Sequence, residues 1–466
     1  MTLINPDVDI MTLAAVSPYA QADRCPPTVE AYVGVGGARR DVLRTSEAWR
    51  ALKRAAAEAQ VASPRSLGRS PRSQQSRAVQ FARVLLFSAS SGMVGCPVAM
   101  TDGAATALET FAARDGVAQE LRASCLRVAE RLRSADADAA FTSGQWMTEP
   151  AGGSDVRGAT RTRASPLALG EAAANQGQAA ADSGFEPWLP AATHRLDGVK
   201  WFSSAADAEV ALALAADPEA APGRLSLFLV RVTPQVGGGV RTRRLKAKLG
   251  TRQLPTAELT LSGVLATRLG APGEGLRGIG PMLAVSRLHN VAAAASHARL
   301  AWRLADDYCG RRRAGGRLVR DYPLVARTLR WLAAASRGMA ELTLECASLL
   351  SAAEDGDAVA DSQLRVLTPA AKAWTARLAV ACCTEAMELL GGNGYVADAG
   401  VEMLVRDCHV LPLWEGTTFI MSLDVLRAIR SAGGKAALEA LLSDAAAAAE
   451  AAAEVRTLES LLFQSR

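Results

Sequence analysis

From Gly280 to Arg430 the chain carries long helical patterns interrupted by few breakers, and this stretch sets most of what the chain can fold into. Ahead of it the hydrophobic period changes. Val210-Ala-Leu-Ala-Leu214, Leu225-Ser-Leu-Phe-Leu-Val-Arg-Val232 and Ala257-Glu-Leu-Thr-Leu261 are short apolar runs bounded by Pro/Gly turns, and are predicted strands. Earlier still, helical spacing is predicted over Glu47–Gln60, Val79–Ser90, Ala104–Arg114 and Gly116–Ser134. Residues 1–45, punctuated by Pro26-Pro27 and Gly36-Gly37, read as irregular. The order is helices, a small β region, then helices: an α+β chain, mostly α. The pattern alone allows several arrangements of that class.

Composition narrows the function classes. A chain of 466 residues that is 49% apolar exceeds one ordinary domain and supplies a large core. Abundant alanine and only 5% aromatics favour tight helix packing over a sheet-rich body. The net charge of +5 is small for this length and carries no mandate for nucleic-acid binding. The basic, low-complexity stretch from Ser63 to Arg77 is expected to be a solvated loop, and the Ala/Gly/Gln-rich insert Glu171–Ala181 an exposed one. The eight cysteines, of which only Cys382 and Cys383 are adjacent, show no paired metal-type spacing; with four scattered histidines they argue against a zinc site. Reduced thiols in a cytoplasmic protein are the expectation, since no leader-like start and no membrane-length apolar run is present.

The segment Leu411-Pro-Leu-Trp-Glu-Gly-Thr-Thr-Phe-Ile-Met421 sets one carboxylate, Glu415, between bulky apolar neighbours and before a Gly-Thr turn. Apolar surroundings strip hydration from a carboxylate and raise its pKa, which makes it a better base toward a carbon acid. Alone this is a weak signal, because a Glu beside a Gly in a loop is ordinarily solvated. Two further segments accompany it: Gln145-Trp-Met-Thr-Glu-Pro-Ala-Gly-Gly-Ser-Asp155 with Lys200-Trp-Phe-Ser-Ser204, and Glu388-Leu-Leu-Gly-Gly-Asn-Gly-Tyr395 shortly before Arg406-Asp407.

In this order the segments resemble the signature set of the acyl-CoA dehydrogenase family, over about Leu121 to Arg427, and the wording around Trp414 and Ile420–Arg427 looks closest to its AidB-like, adaptive-response branch. The resemblance implies an N-terminal helical domain (1–144), a central small β-barrel or sandwich domain (145–266), a C-terminal four-helix bundle (267–430) and an Ala-rich helical tail (431–466). It implies FAD as cofactor and α,β-desaturation of an acyl-CoA or related thioester. Glu415 would take the α proton, its N–H would meet the thioester oxygen, and flavin N5 would accept the β hydrogen as hydride. Met147 and Thr148 would meet the isoalloxazine ring, and Phe202 and Ser204 would pack against it and reach N5. Ser154, after Gly152-Gly153, would contact phosphate of cofactor or substrate. Arg287 and Gly416 would border the substrate, and Thr417 the cofactor. Arg312 would bind the FAD pyrophosphate of a neighbouring subunit, with Gly391, Gly392, Asn393 and Gly394 meeting the adenosine part, so a dimer or a dimer of dimers is expected. Electrons would pass to an electron-transfer flavoprotein or another acceptor.

Some members of the family place the base on another helix, at the position matched here by Ser286, which cannot serve; Glu415 stands as the candidate. Gly315 replaces a usual aromatic and Phe419 a usual amide side chain near the cofactor. Two alternatives accompany the desaturase reading: an AidB-like protective or DNA-associated flavoprotein with little turnover, and a flavin oxidase or monooxygenase acting on a non-CoA substrate. DNA binding in the AidB-like branch is assigned to a longer basic C-terminal domain. The tail here, with Glu439, Asp444, Glu450, Glu454 and Glu459, is acidic, so nucleic-acid binding is not expected.

Overall fold

The computed structural model describes residues 22–33, 39–63, 75–168, 190–232 and 239–464. A β-hairpin, β1 (Thr28–Val33) and β2 (Arg39–Arg44), precedes four helices, α1 (Glu47–Glu58), α2 (Gln75–Phe87), α3 (Gly95–Ala112) and α4 (Gln119–Leu132). The hairpin corrects the irregular reading of residues 1–45. No residue of β1 and none of Asp41–Arg44 in β2 is buried, so no buried apolar face marks either strand along the chain. It is tied to the β region where the Asp41 carboxylate accepts from the Thr242 amide at 2.9 Å. Helix α3 starts nine residues before the predicted Ala104, with Pro97 in its first turn, where a missing N–H costs nothing. It packs against the long helix α5 (Gly280–Arg311) at Gly103, where a Cβ would sit 2.8 Å from Met282 Cγ.

The β region comprises β3 (Ser143–Trp146), β4 (Arg163–Pro166), β5 (His194–Ser203), β6 (Val210–Ala216), β7 (Leu225–Arg231), β8 (Gly239–Leu245) and β9 (Ala257–Leu269). The pairings β6–β7, β7–β9, β9–β5, β5–β4 and β4–β6 close on themselves, so the domain is a small barrel, with β3 added beside β6 and β8 beside β9. Every residue of β6 from Val210 to Ala215 is buried, which explains why its sequence is a continuous apolar run. The expected exposed insert Glu171–Ala181 lies outside the described residues.

Helices α5, α6 (Pro323–Glu354), α7 (Ala358–Leu389) and α9 (Thr418–Arg430) form the C-terminal bundle, with the short α8 (Val401–Cys408) between α7 and α9, and α10 (Gly434–Gln464) after it. Alanines at the centre of α5 and α7, among them Ala294, Ala298, Ala301, Ala376 and Ala379, let the two backbones approach closely.

A buried ionic cluster joins the N-terminal helices to the bundle. Asp102 accepts from Arg77 Nη1 (2.9 Å), Arg133 Nη1 (3.0 Å), Gln80 Nε2 (2.8 Å) and His289 Nε2 (2.9 Å). Arg77 also pairs with Glu354 of α6. The expectation of a solvated loop through Arg77 is therefore corrected at its last residue: Arg77 is 1% exposed, on α2. A basic run in sequence cannot reveal that its last arginine meets an aspartate 25 residues on. Residues 64–74 of that run lie outside the described residues. Among the described residues no helix is long and apolar enough to cross a membrane.

Candidate active site

Glu415 occupies the tight connection between α8 and α9. Its φ of +57° lies in the left-handed region, and Gly416 follows at φ +101°, so two consecutive residues turn the chain and swing the carboxylate toward α5. A non-glycine residue held there costs of order 1 kcal/mol or more, and three contacts hold it. Ser286 Oγ of α5 donates to Glu415 Oε2 at 2.6 Å. Arg287 Nε donates to the Glu415 carbonyl at 3.3 Å, and Lys372 Nζ of α7 to the Gly416 carbonyl at 2.5 Å. A Cβ on Gly416 would meet Met421 Cε at 2.5 Å, so the turn has no room for a side chain there.

The electrostatics suit a base. Although Glu415 as a residue keeps some exposure, dense protein around its carboxyl raises the pKa above the ordinary carboxylate value; the Ser286 hydroxyl and the charges of Arg287 and Lys372 oppose that shift without cancelling it. Burial lowers Lys372 to about 8. Among the described hydrogen bonds none takes up the Glu415 N–H, which leaves it able to donate. Arg287 is further fixed by Asp424 of α9 at 2.6 Å, and Asp424 also accepts from Arg365.

The other predicted residues fall into two groups. Met147 and Thr148 follow β3, and Phe202 and Ser204 lie at the end of β5; the Thr148 carbonyl accepts from the Trp201 amide at 3.0 Å, so these two segments are joined. Ser204 bonds Thr256 at 3.1 Å. The Cys96 thiol of α3 lines one small cavity together with Ser286, Trp414 and Glu415. Burial pushes that thiol up to about 12. Ser154 is exposed in the glycine turn, where a Cβ on Gly153 would come within 3.2 Å of Thr148 Cγ2. Thr417 begins α9 without a side-chain cap bond.

Arg312 and the Gly391–Gly394 turn are not brought to Glu415. Arg312 follows the last residue of α5, ~37 Å along the helix from Arg287 at 1.5 Å per residue. Asn393 Nδ2 reaches Tyr308 of the same helix end at 3.3 Å, so the glycine turn and Arg312 share one end of the bundle. Both are exposed apart from the buried Gly394, and so are Gly315 and Phe419, at the departures noted from the sequence.

Sequence reasoning missed Lys372 and Asp424. The available signal was a lysine on the inner face of α7, with Thr368 and Ala376 one turn to either side, all buried. It also read Ser286 only as a lost base. The structure gives it a role beside the base.

The geometry can be set against known proteins. A profile of the acyl-CoA dehydrogenase C-terminal domain matches residues 273–430, one of the middle domain matches 172–264, and one of the adaptive response protein AidB N-terminal domain matches 11–127. Acyl-CoA dehydrogenase family member 11 of Caenorhabditis elegans is 41% identical over 360 residues, covering 75% of this chain and 54% of that protein. The putative acyl-CoA dehydrogenase AidB of Escherichia coli K12 is 33% identical over 298 residues, covering 62% of this chain and 49% of that protein. The chain thus spans about half the length of these curated relatives. The crystal structure of Caenorhabditis elegans ACDH-11 in complex with C11-CoA superimposes with a TM-score of 0.80 at 37% identity, covering 92% of this chain and 69% of that one. With three domain matches in family order on a fold of helices, barrel and helical bundle, the chain belongs to the acyl-CoA dehydrogenase family, with an N-terminal domain of the AidB type.

Proposed function

We propose that the protein is an FAD-dependent oxidoreductase that desaturates an acyl thioester between Cα and Cβ, with Glu415 as the base. The observation that carries this reading is the raised, apolar-packed carboxylate of Glu415, fixed through one oxygen by Ser286 and through its loop by Arg287 and Lys372. Ser286 engages Oε2 and leaves Oε1 for a substrate proton. Glu415 takes the Cα proton and becomes a neutral acid, which burial favours. Its free N–H donates to the thioester oxygen and stabilises the charge that develops there. A positioned base of matched pKa contributes about two to four orders of magnitude in rate.

The residues at the barrel edge fit a flat, uncharged ring system. Phe202 is 56% exposed as a residue, with Lys246 Nζ 4.9 Å from the centre of its ring, and Thr148 and Ser204 offer uncharged hydroxyls. The space above Gly153 is one that a Cβ would crowd. Met147, Thr148, Phe202, Ser204 and Thr417 would hold the ring, and Ser154 a phosphate. Arg312 and the Gly391–Gly394 turn would hold the distal part of a cofactor bound by a second subunit. When bound, FAD supplies the acceptor for the β hydrogen and its electron pair. The exposed apolar side chains Trp374, Leu413, Phe419 and Leu423 support a dimer or a dimer of dimers. The working domain bounds are 1–144, 145–266, 267–430 and 431–466, the location cytoplasmic, and the electron acceptor an electron-transfer flavoprotein or its equivalent. The acyl-CoA held by the nematode relative supports a CoA thioester as substrate.

An anaerobic absorbance titration of the FAD-loaded protein with straight and branched acyl-CoAs tests this. Bleaching by one class is expected, and Glu415→Gln is expected to keep FAD and lose the bleaching. Undiminished reduction by that variant would rule out the assigned base.

A further inference from the structure

The connection between β8 and β9 carries a lysine that the desaturase reading does not use. Lys248 lies three residues beyond the end of β8. Its Nζ donates to the Leu254 carbonyl at 2.8 Å and to Thr256 Oγ1 at 3.0 Å, both neutral oxygens. The connection is held at both ends. The Lys246 amide donates to the Thr256 carbonyl at 2.8 Å, which closes its base. Its far end is fixed to α8, where Asp407 accepts from the Thr251 amide and from Gln253 Nε2, and where a Cβ on Gly250 would sit 2.4 Å from the Arg406 carbonyl. Lys248 is thus a fixed group rather than a swinging surface amine.

That placement sets the direction of a chain of hydrogen bonds. Burial lowers Lys248 only to about 8, so it is an ammonium at neutral pH, and an ammonium donates without accepting. Thr256 Oγ1 therefore accepts from it. A threonine hydroxyl has one proton to give, and the one acceptor described for Thr256 is Ser204 Oγ, at 3.1 Å. Thr256 is buried, so the reverse direction would leave its proton without an acceptor, which is costly. The bond runs from Thr256 to Ser204. The Ser204 proton then has no oxygen to meet among the described hydrogen bonds. The Cys96 thiol, which the Ser204 hydroxyl also influences, is kept protonated by burial and accepts only weakly.

Ser204 follows the exposed Phe202 by two residues, at the barrel edge assigned to the ring of the cofactor. Resting on that assignment, we infer that Lys248 is a positioning residue for the ring: through Thr256 it leaves the Ser204 hydroxyl as a donor whose proton is free for the ring. A donor supplied in this way stabilises negative charge, so it favours the ring that has gained an electron pair over the oxidised ring.

The midpoint potential of FAD bound to the full chain, measured anaerobically against a reference dye with no acyl-CoA present, tests this. Lys248→Met keeps the length of the side chain and removes its donors. Thr256→Val keeps the shape and cuts the same relay while leaving the bond from Lys248 to Leu254, so the test stands where the first variant disturbs the loop. Each is expected to weaken binding of reduced FAD relative to oxidised FAD by about tenfold, the low end for a hydrogen bond to a charged group, which is a fall of about 30 mV for a two-electron couple. Thr256→Ser, which retains the hydroxyl, is expected to keep the original midpoint. Ser204→Ala is expected to show the same fall, and Lys248→Met added to it no further one, because the lysine acts through the serine. The shift is read whether or not any acyl-CoA bleaches the flavin, so loss of the desaturase reading and loss of this inference are distinguishable. Equal weakening of both forms of FAD, with the midpoint unchanged, would make Lys248 merely structural and overturn the inference. Additive falls in the double variant, or a protein that takes up no FAD, overturn it as well.

Discussion

Replacing Ser286 with alanine removes the only side-chain hydrogen bond described to the Glu415 carboxylate. A hydrogen bond to a charged group is worth about 1.5–3 kcal/mol, and one pKa unit corresponds to about 1.36 kcal/mol, which together give a rise of roughly one to two units. The Ser286 hydroxyl also leans toward the Leu283 carbonyl at 3.3 Å, so part of its donation is already diverted and the lower figure applies. The sign is fixed by what the bond does: it stabilises the ionised form, so its loss raises a pKa that burial has already raised. Glu415 abstracts a proton only when ionised. The acid limb of the rate of flavin reduction should therefore move to higher pH by about one unit, with the plateau above it undiminished. Stopped-flow reduction of the FAD-loaded protein across pH 5–9 reads both, and Ser286→Thr, which restores the hydroxyl, should return the limb toward its original position. An acid limb that stays in place, or moves to lower pH, would refute the claim that Ser286 tunes the base.

Three other outcomes follow from the same geometry. Glu415→Gln should abolish reduction by any acyl-CoA while absorbance still reports bound FAD. Asp102→Asn should lower the urea midpoint by an amount equivalent to about 3–5 kcal/mol, because Arg77 and Arg133, each 1% exposed at the side chain, would keep only the partly exposed Glu354 and Glu109 as charged partners. Under reducing conditions, stability should fall as pH rises above about 9. Burial raises the thiols of Cys96, Cys125, Cys309, Cys346 and Cys382, and the neighbouring Cys408 thiol together with burial raises that of Cys383, so the folded chain keeps protons that the unfolded chain has released. Lys200, Lys248 and Lys372, all lowered by burial, work in the opposite direction and offset the thiols up to about pH 9; above it the six thiols dominate. Urea midpoints at pH 9 and 10 check this, and a midpoint that does not fall between them would count against the thiols being buried as described.

What the sequence made legible follows from the range of the interactions involved. The long helices of the bundle and the continuous apolar strands β6 and β7 announce themselves because each is specified by its own residues, through a period that burial imposes. The exposed hairpin β1–β2 was not legible, since it buries little and is held through contacts such as that between Asp41 and Thr242. Glu415 and its glycine turn could be singled out locally, and the prediction of a raised pKa agrees with the packing around the carboxyl. Its supports could not be. Ser286 lies 129 positions away and Lys372 meets the turn across 44, and neither residue type says by itself that a carboxylate or a carbonyl waits there. Chemistry that depends on one residue and its immediate neighbours can therefore be read along the chain. Chemistry that depends on what tunes that residue is written in contacts between distant segments.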